Sequence, residues 1–339
     1  MKILYVDYMS PRGHEVFNRI HIDTLLSLGA QVSIVTKGGF MNQYCTDRGL
    51  EIIKIPDSNK REKVTPLSVR VDYTKDLLWI KRNIDFSIYD YTIISSYEVI
   101  SLFLARIKEK LIIIDHNNVD ELNSSIKLFL TKHLPSYYTH IALNDYMMDR
   151  LLKLLPNLLV KYIPHGYLLA SKIMQRPTMV GVDEKFIFCP VNRNYDVDLV
   201  NNIFNSKTFN DYLKKNRIFL YVKSQLIGES KGNIRVLGKL DNDEYNFMLC
   251  KSVAVLLPYG GDFKYRCSGI LFECISRNTP VIATDKGALR IYEDDVNIKF
   301  FDDEESLKFA IRSACAPYEG SYNVEKYNPT EYWKRILYK

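Results

Sequence analysis

Short apolar runs alternate with helical patterns along the first half of the chain. KILYVDY (2–8) and QVSIVTK (31–37) flank a segment whose apolar residues recur at helical spacing until Gly29. Further apolar runs follow, among them YTIISS (91–96), LIIID (111–115) and VKYIPHG (160–166). Apolar runs separated by helices are typical of parallel strands buried on both faces. We therefore predict a parallel α/β sheet in this half.

The second half repeats the same alternation. KFIFCPV, RIFLYVKS, NIRVLGKL, SVAVLLPY, TPVIATD and VNIKFF read as strands, with helices beginning near Asp241, Ser268 and Glu305. Two such halves predict an α/β protein of two Rossmann-like domains, at 1–170 and 171–325, with a C-terminal helix at 326–339 that packs back toward the first. Because parallel sheets bind ligands at the carboxyl ends of their strands, we expect the two domains to face each other across a ligand cleft.

Composition narrows the class of protein. The 339 residues are 47% hydrophobic and 25% charged, which is typical of soluble globular chains. The longest stretch free of charged side chains has thirteen residues, whereas a membrane span needs about 20. The six scattered cysteines lack a C-x-x-C pair and favour a cytoplasmic location. The net charge of +6 is diffuse and suits anionic small ligands or an anionic membrane surface, not nucleic acid.

The stretch RCSGILFECI (266–275) is the strongest candidate for a ligand site. Ser268 fits a helix N-cap, and Gly269 would let a ligand approach the backbone closely. Free N–H groups at a helix start favour an anion such as phosphate, and Lys264 and Arg266 would add charge-assisted contacts. The alternative is an ordinary capped helix with two solvated cations.

Glu273 lies one turn into the same predicted helix. It shares a face with Gly269, and Ile270 beside them would supply apolar cover. A carboxylate there can accept hydrogen bonds from sugar hydroxyls. The alternative is a surface Glu paired with Arg277.

The run from Ser268 to Asp285, SGILFECISRNTPVIATD, resembles the signature of GT-B fold glycosyltransferases, especially the retaining family-four type. Weaker matches are HNNVD (116–120), YIPHG (162–166) and the segment 233–259. The resemblance implies a nucleotide-sugar donor whose diphosphate lies at Ser268 and Gly269 and whose ribose meets Glu273, with Ile270 also in the donor-binding site. It also implies that Arg193, after the first strand of the second half, contacts the phosphates.

Three departures from that signature concern the donor site. The family usually carries a second Glu that contacts the transferred sugar, and here that position is Tyr265. The usual glycine is displaced from Ser268 to Gly269. The usual lysine after the basic Arg is missing, so Lys264, Arg266 or Lys223 is a candidate replacement.

Histidines in the first half are the candidate catalytic residues. Gly13 lies in the loop after the first strand, where its backbone would approach the donor phosphate or the acceptor, and His14 follows it. Inverting GT-B enzymes use a His in this loop as general base, and the pKa of histidine suits that task; the alternative is a polar residue at a helix start. His116 resembles a pocket residue facing the transferred sugar, with Asp115 as its orienting group or as a strand-end cap.

These observations predict a glycosyltransferase that uses a nucleotide-diphosphate sugar and a hydroxyl acceptor, in bacterial-type surface polysaccharide or glycolipid synthesis. The acceptor would be a saccharide or a lipid-linked saccharide. No cofactor or metal is expected, because no Asp-x-Asp motif of the metal-binding type is evident and a helix start with cations can stabilise a diphosphate. The alternatives are a nucleotide-sugar epimerase of the same fold and a non-catalytic, degenerate partner protein.

Residues 123–162 combine leucines, tyrosines and basic residues. Such a pattern is typical of a membrane-facing surface. It is also typical of core-facing helices with solvated lysines. Both interpretations stay open from the sequence.

Overall fold

The computed structural model describes residues 1–10, 14–56, 65–168, 174–190, 194–223, 229–316 and 322–338. The chain forms two compact units. Unit 1 comprises Met1–Gly166, Tyr265–Cys267 and Asn328–Lys339, and unit 2 comprises Tyr167–Lys264 and Ser268–Tyr327. Within the described residues, no helix is both long enough and apolar enough to cross a bilayer.

Unit 1 is built on a parallel sheet of seven described strands in the order β3-β2-β1-β4-β5-β6-β7. Its elements are β1 (Lys2–Asp7), α1 (Glu15–Ser27), β2 (Gln31–Lys37), α2 (Asn42–Asp47), β3 (Glu51–Ile55), α3 (Pro66–Asn83), β4 (Tyr91–Ile94), α4 (Val99–Ala105), β5 (Leu111–Asp115), α5 (Asn118–Glu121), α6 (Ser125–Lys132), β6 (Thr139–Ala142), α7 (Asp145–Leu154), β7 (Leu159–Tyr162) and, at the end of the chain, α14 (Thr330–Leu337).

Both faces of this sheet are covered. Along β1, Ile3 and Tyr5 lie in one apolar core, and Leu4 and Val6 lie in the other. Successive side chains of a strand point to opposite faces, so an unbroken apolar run is what a doubly covered strand requires. The C-terminal helix α14 completes the first of these cores with the fully buried Trp333.

Unit 2 is built on a parallel sheet of six described strands in the order β10-β9-β8-β11-β12-β13. Its elements are β8 (Phe186–Cys189), α8 (Val197–Phe204), α9 (Lys207–Lys215), β9 (Phe219–Lys223), β10 (Ile234–Leu237), α10 (Asn242–Lys251), β11 (Ala254–Leu257), α11 (Gly269–Ile275), β12 (Val281–Thr284), α12 (Gly287–Arg290), β13 (Ile298–Phe301) and α13 (Glu304–Ala314).

The predicted fold class is confirmed, since each half of the chain is a parallel α/β sheet of the Rossmann-like type. In each sheet the strand order reverses beside its first strand. The order runs from β1 to β2 on one side and to β4 on the other, and β8 is likewise flanked by β9 and β11. The loops leaving such strands diverge to opposite faces, which opens a crevice where ligands bind.

Candidate functional site

In unit 2, the loops that leave β8 and β11 are joined by backbone hydrogen bonds. The amide of Asp196 donates to the carbonyl of Pro258, and the amide of Gly260 donates to the carbonyl of Asn194, both at 2.8 Å. A Cβ on Gly260 would lie 2.9 Å from the carbonyl oxygen of Tyr195. Only glycine allows that approach, so the sequence Tyr-Gly-Gly after β11 is what fixes these two loops together.

The loop from β11 to α11 is anchored by aromatic side chains. The ring of Tyr259 stacks on that of Phe263 with centroids 4.0 Å apart. The hydroxyls of Tyr259 and Ser268 share a hydrogen bond of 2.7 Å, and Ser268 also accepts from the amide of Leu271 at 3.1 Å. Ser268 is therefore the predicted N-cap. Because its hydroxyl is engaged within the protein, a ligand at this helix start would meet the exposed backbone of Gly269 instead.

Glu273 has a partner that the sequence did not indicate. The hydroxyl of Tyr245 on α10 donates to its Oε2 at 3.0 Å. Arg277 donates to the backbone carbonyl of Glu273 at 2.8 Å, and no ion pair involves the Glu273 carboxylate among the described residues. A surface pair between the Glu273 carboxylate and Arg277 is thus not what the structure contains.

The environment of Glu273 disfavours its charge. Burial raises the pKa of this carboxyl group, while the Tyr245 hydrogen bond and the charges of Arg277 and Lys223 lower it less. Burial likewise raises the pKa of Tyr245 well above its ordinary value, so the phenol is a firm donor. A half-buried carboxylate with one neutral donor and no salt bridge is typical of a binding group rather than of a structural one.

The other predicted donor-site residues fall in three places. Lys264 is exposed, and Ile270 is half-buried beside Glu273. Arg266 belongs to unit 1 instead of unit 2. Gly13 and Arg193 lie outside the described residues. Ser268, Gly269, Ile270 and Glu273 are thus the predicted residues that α11 brings together.

Arg266 is held by an acid of unit 1. Asp120 on α5 accepts from the Arg266 guanidinium with one oxygen and from the backbone amide of Tyr265, at 2.6 Å, with the other. Asn144 adds a contact of 3.1 Å to the thiol of Cys267. The residues 265–267 therefore form a strap on unit 1, and the Arg266 charge is already paired there.

Tyr265 packs where the family signature carries a carboxylate. Its ring stacks on that of Tyr146 at 5.1 Å, and the guanidinium of Arg150 lies 5.1 Å from its centroid. Both partners are on α7. The side chain at this position is thus part of the packing of unit 1.

The candidate catalytic histidines lie in an aromatic cluster of unit 1 around Phe17. The ring centroid of His116 lies 4.4 Å from that of Phe17 and 4.6 Å from that of His14. The ring centroids of His21 and His165 lie 4.2 and 5.0 Å from that of Phe17. The structure therefore brings the two candidate histidines together and adds His21 and His165, which the sequence pattern did not single out.

All four rings favour the neutral form. Burial lowers the pKa of His21 to about 3 and of His165 to about 4. Burial also lowers the pKa of His14. Burial lowers the pKa of His116 well below its ordinary value, and the neighbouring imidazoles lower the pKa of His116 further. Nδ1 of His14 and Nε2 of His116 are buried without a hydrogen-bond partner among the described residues. Each of these nitrogens therefore has a hydrogen-bonding position open to a ligand.

Two buried acids, Asp7 and Asp115, lie at strand ends in unit 1. Asp7, at the end of β1, accepts from Asn18 of α1 at 2.6 Å and from Ser96 at 2.9 Å, which fixes the helix that follows His14. Asp115, at the end of β5, accepts from Tyr97 at 2.5 Å and contacts Nδ1 of His140 at 3.1 Å. The expectation that Asp115 orients His116 is wrong, because its carboxylate is turned to these two residues.

The described residues contain no group of three or more His, Cys, Asp or Glu side chains placed to hold a metal ion.

No protein-family profile and no curated protein sequence matches this chain. Solved structures do match over nearly its full length. UDP-GlcNAc 2-epimerase from Neisseria meningitidis, bound to UDP-GlcNAc, is 14% identical with a TM-score of 0.64 and 100% coverage of both chains. A glycosyltransferase from Rickettsia africae is 15% identical with a TM-score of 0.59, and the match covers 99% of this chain and 92% of that one.

A third similar structure is Anabaena HepE in complex with UDP-glucose. It is 14% identical with a TM-score of 0.59, and the match covers 99% of this chain and 94% of that one. The chain has the GT-B fold. At identities this low, the structural likeness establishes the GT-B architecture alone and does not identify the reaction.

Protonation of the histidine cluster should destabilise unit 1. The indole N–H of Trp333 donates to Nδ1 of His21 at 2.9 Å, so Nε2 carries the proton that faces the carbonyl of His165 at 3.2 Å. A protonated His21 can no longer accept from Trp333. Because folding lowers these pKa values, the unfolded chain binds more protons below pH ~6.5, and stability falls as the pH drops.

For His21 alone we expect a loss of about 2 kcal/mol between pH 7.5 and pH 5. Trp79 and Trp333 both belong to unit 1, so urea unfolding followed by tryptophan fluorescence reports on this unit. His21→Gln should shrink the pH-dependent loss, and the exposed control His133→Gln should leave it unchanged. Equal losses in wild type and His21→Gln would contradict the assignment.

Proposed function

We propose that this GT-B protein is a glycosyltransferase that moves a sugar from a nucleotide-diphosphate sugar to a hydroxyl acceptor. The acceptor class that we favour is a saccharide or lipid-linked saccharide of a bacterial-type surface polysaccharide or glycolipid. Similar structures include a glycosyltransferase and proteins with bound UDP-sugars. This likeness supports a nucleotide-sugar donor, and the residues of α11 support the donor site.

The observation that carries the proposal is the state of Glu273. Its carboxylate is half-buried one turn into α11, its pKa is raised by burial, and its hydrogen bond comes from a neutral phenol. Burying a carboxylate without an ion pair is unfavourable unless something else binds it. Vicinal hydroxyls of a ribose would supply two donors to such a group, as the family resemblance implies.

The leaving diphosphate would lie at the start of α11. Two contacts that unit 2 offers there are the backbone N–H groups at Gly269 and the exposed ammonium of Lys264. Arg193 stays a proposed phosphate contact by resemblance. Arg266 is not among the proposed phosphate contacts, because Asp120 already binds it in unit 1. Preorganised donors of this kind stabilise charge that develops on a leaving group.

We favour the retaining reaction, because the resemblance of 268–285 is to the retaining type. His116 would then be a pocket residue beside the transferred sugar. An inverting reaction would use His14 as general base, and its neutral imidazole at pH 7 can accept a proton. The anomeric configuration of the product, read by NMR, separates the two, and His14→Ala with full activity would exclude the inverting role.

Donor binding is testable without knowing the acceptor. In a thermal-shift screen of nucleotide diphosphates and nucleotide-sugars, we expect one base series to stabilise the wild type through linkage. Glu273→Gln should weaken binding of that ligand by about tenfold or more, because a hydrogen bond to a charged group is lost.

The same substitution should raise the melting temperature of the ligand-free protein at pH 8. A Glu whose folded pKa is raised stabilises the fold when protonated and loses that contribution as the pH rises through the folded pKa. The gain should therefore vanish near pH 4. If Glu273→Gln binds the ligand as tightly as the wild type does, the donor site does not lie at α11.

An epimerase is the second candidate, since UDP-GlcNAc 2-epimerases are among the similar structures. Incubation with UDP-GlcNAc and no acceptor distinguishes the two activities. An epimerase converts the sugar with UDP still attached, whereas the proposed transferase leaves the donor intact until an acceptor is added and then releases nucleoside diphosphate. Binding with no turnover under either condition would indicate the degenerate, non-catalytic protein.

Helix α6 supports the proposed contact with an anionic membrane. The segment 123–162 divides in two in the structure. Helix α7 buries Met147 and Leu151 in the core, as the core-facing alternative predicts, whereas α6 exposes 67% of Ile126 and 56% of Phe129. Lys132 on α6 is also exposed. Exposed apolar side chains beside a cation are typical of a helix that rests on a bilayer surface.

The wild type should co-sediment with vesicles that contain anionic lipid and not with purely zwitterionic vesicles. We expect Ile126→Ser with Phe129→Ser to abolish this binding and added salt to weaken it. The control pair is Val197→Ser with Phe309→Ser, which removes apolar side chains that are 51% and 66% exposed in unit 2. Equal binding by all three proteins would argue against α6 as the contact.

A further inference from the structure

Lys223 is a half-buried cation with no acceptor among the described residues. It is the last residue of β9, and its Nζ lies 4.8 Å from the centroid of the Tyr245 ring. No hydrogen bond and no ion pair involves its ammonium group in the described part of the chain. Burial lowers the pKa of Lys223, and the nearby Glu273 carboxylate acts in the opposite direction.

Three other lysines that are buried or half-buried are paired with acids. Lys37 is 2.7 Å from Asp76, Lys127 is 2.6 Å from Glu121, and Lys308 is 2.8 Å from Glu305. An ammonium group that loses water without gaining an acceptor is unfavourable, and the face of one aromatic ring replaces only part of the loss. Lys223 is such an ammonium group, held beside the Tyr245 ring and near the Glu273 carboxylate, and it therefore calls for a ligand.

Tyr245 stands between this cation and the buried acid. Its ring face meets Lys223, its hydroxyl binds Oε2 of Glu273 at 3.0 Å, and the ring of Phe188 packs edge-on against it at 5.7 Å. Lys223 and Glu273 do not form an ion pair. Tyr245 thus keeps a cation and a carboxylate close together without letting them neutralise each other. Such a pair suits a ligand that carries both hydroxyl donors and an anionic oxygen.

We propose that Lys223 binds a phosphate oxygen of the nucleotide whose ribose hydroxyls meet Glu273, and that Tyr245 is the positioning residue that holds the two groups apart. This inference rests on the proposed function, because it assumes a nucleotide at α11. It adds a phosphate contact at the end of β9, remote in sequence from the helix start at Gly269. A Lys–phosphate contact is a charge-assisted hydrogen bond and weakens with salt.

Truncated ligands test this assignment. The probes are uridine, UMP and UDP, with the guanosine series run in parallel, titrated by calorimetry or, for the nucleosides, by ligand-observed NMR. Lys223→Met should weaken UMP and UDP by about tenfold while leaving uridine unchanged, since only the charged contact is lost. Lys223→Arg should restore most of the affinity for UDP. Lys251→Met, an exposed lysine of α10, should behave as wild type.

Tyr245→Phe should produce the opposite split. Without the hydroxyl, Glu273 is misplaced and the nucleoside binds more weakly, yet the ratio of UMP to uridine affinity should be kept. Circular dichroism and the melting temperature establish that each variant is folded, and Lys223→Gln, which also removes the charge, serves if Lys223→Met is not folded.

Two results distinguish failure of the Lys223 contact from failure of the proposed function. If the wild type binds UDP or GDP and Lys223→Met binds it equally well, or loses nucleoside and diphosphate affinity equally, the phosphate contact is overturned. If the wild type binds none of these probes and no nucleotide of the thermal-shift screen, the proposed function fails and this inference fails with it.

Discussion

Two sheets of parallel strands covered on both faces dictate where this protein can place polar chemistry. Along β1, consecutive residues are divided between two apolar cores, so the strand interior has no room for an unpaired polar group. Polar side chains are displaced to the carboxyl ends. Asp7 ends β1 with several hydrogen-bond donors around it, whereas the Lys223 ammonium group ends β9 with no hydrogen-bond acceptor among the described residues. The first is structural and the second is available to a ligand.

The same contrast separates satisfied from unsatisfied ionisable groups. Asp115 is buried, but Tyr97 and His140 occupy both of its oxygens. Glu273 and His116 are enclosed with fewer partners, and burial shifts the pKa of each toward the neutral form. Groups held in this unfavourable state reduce the stability of the free protein, and such a loss is common where binding or catalysis is the benefit.

Local pattern was sufficient to predict the strands, the helix starts and the Ser268 cap, because each depends on residues close in sequence. It could not predict Tyr245 as the partner of Glu273, because 28 residues separate them and no spacing rule links α10 to α11. The histidine cluster around Phe17 is a stronger case. His21 and His165 meet across 144 residues, and each alone resembles an ordinary core or hinge histidine. Contacts of this kind follow from strand order, which the sequence pattern leaves open.

Tyr265 marks the point where the family resemblance stops being informative. The signature expects a carboxylate there that contacts the transferred sugar. In this chain the strap 265–267 is held by Asp120, an acid that binds the backbone of Tyr265 and the side chain of Arg266. A carboxylate at this position would lose the stack on Tyr146. Tyr265 is therefore held in unit 1 through both its ring and its backbone amide. The residues of this chain thus support the nucleotide part of the proposed donor, through Glu273, and in the proposed function the sugar would be bound without the second carboxylate of the family signature.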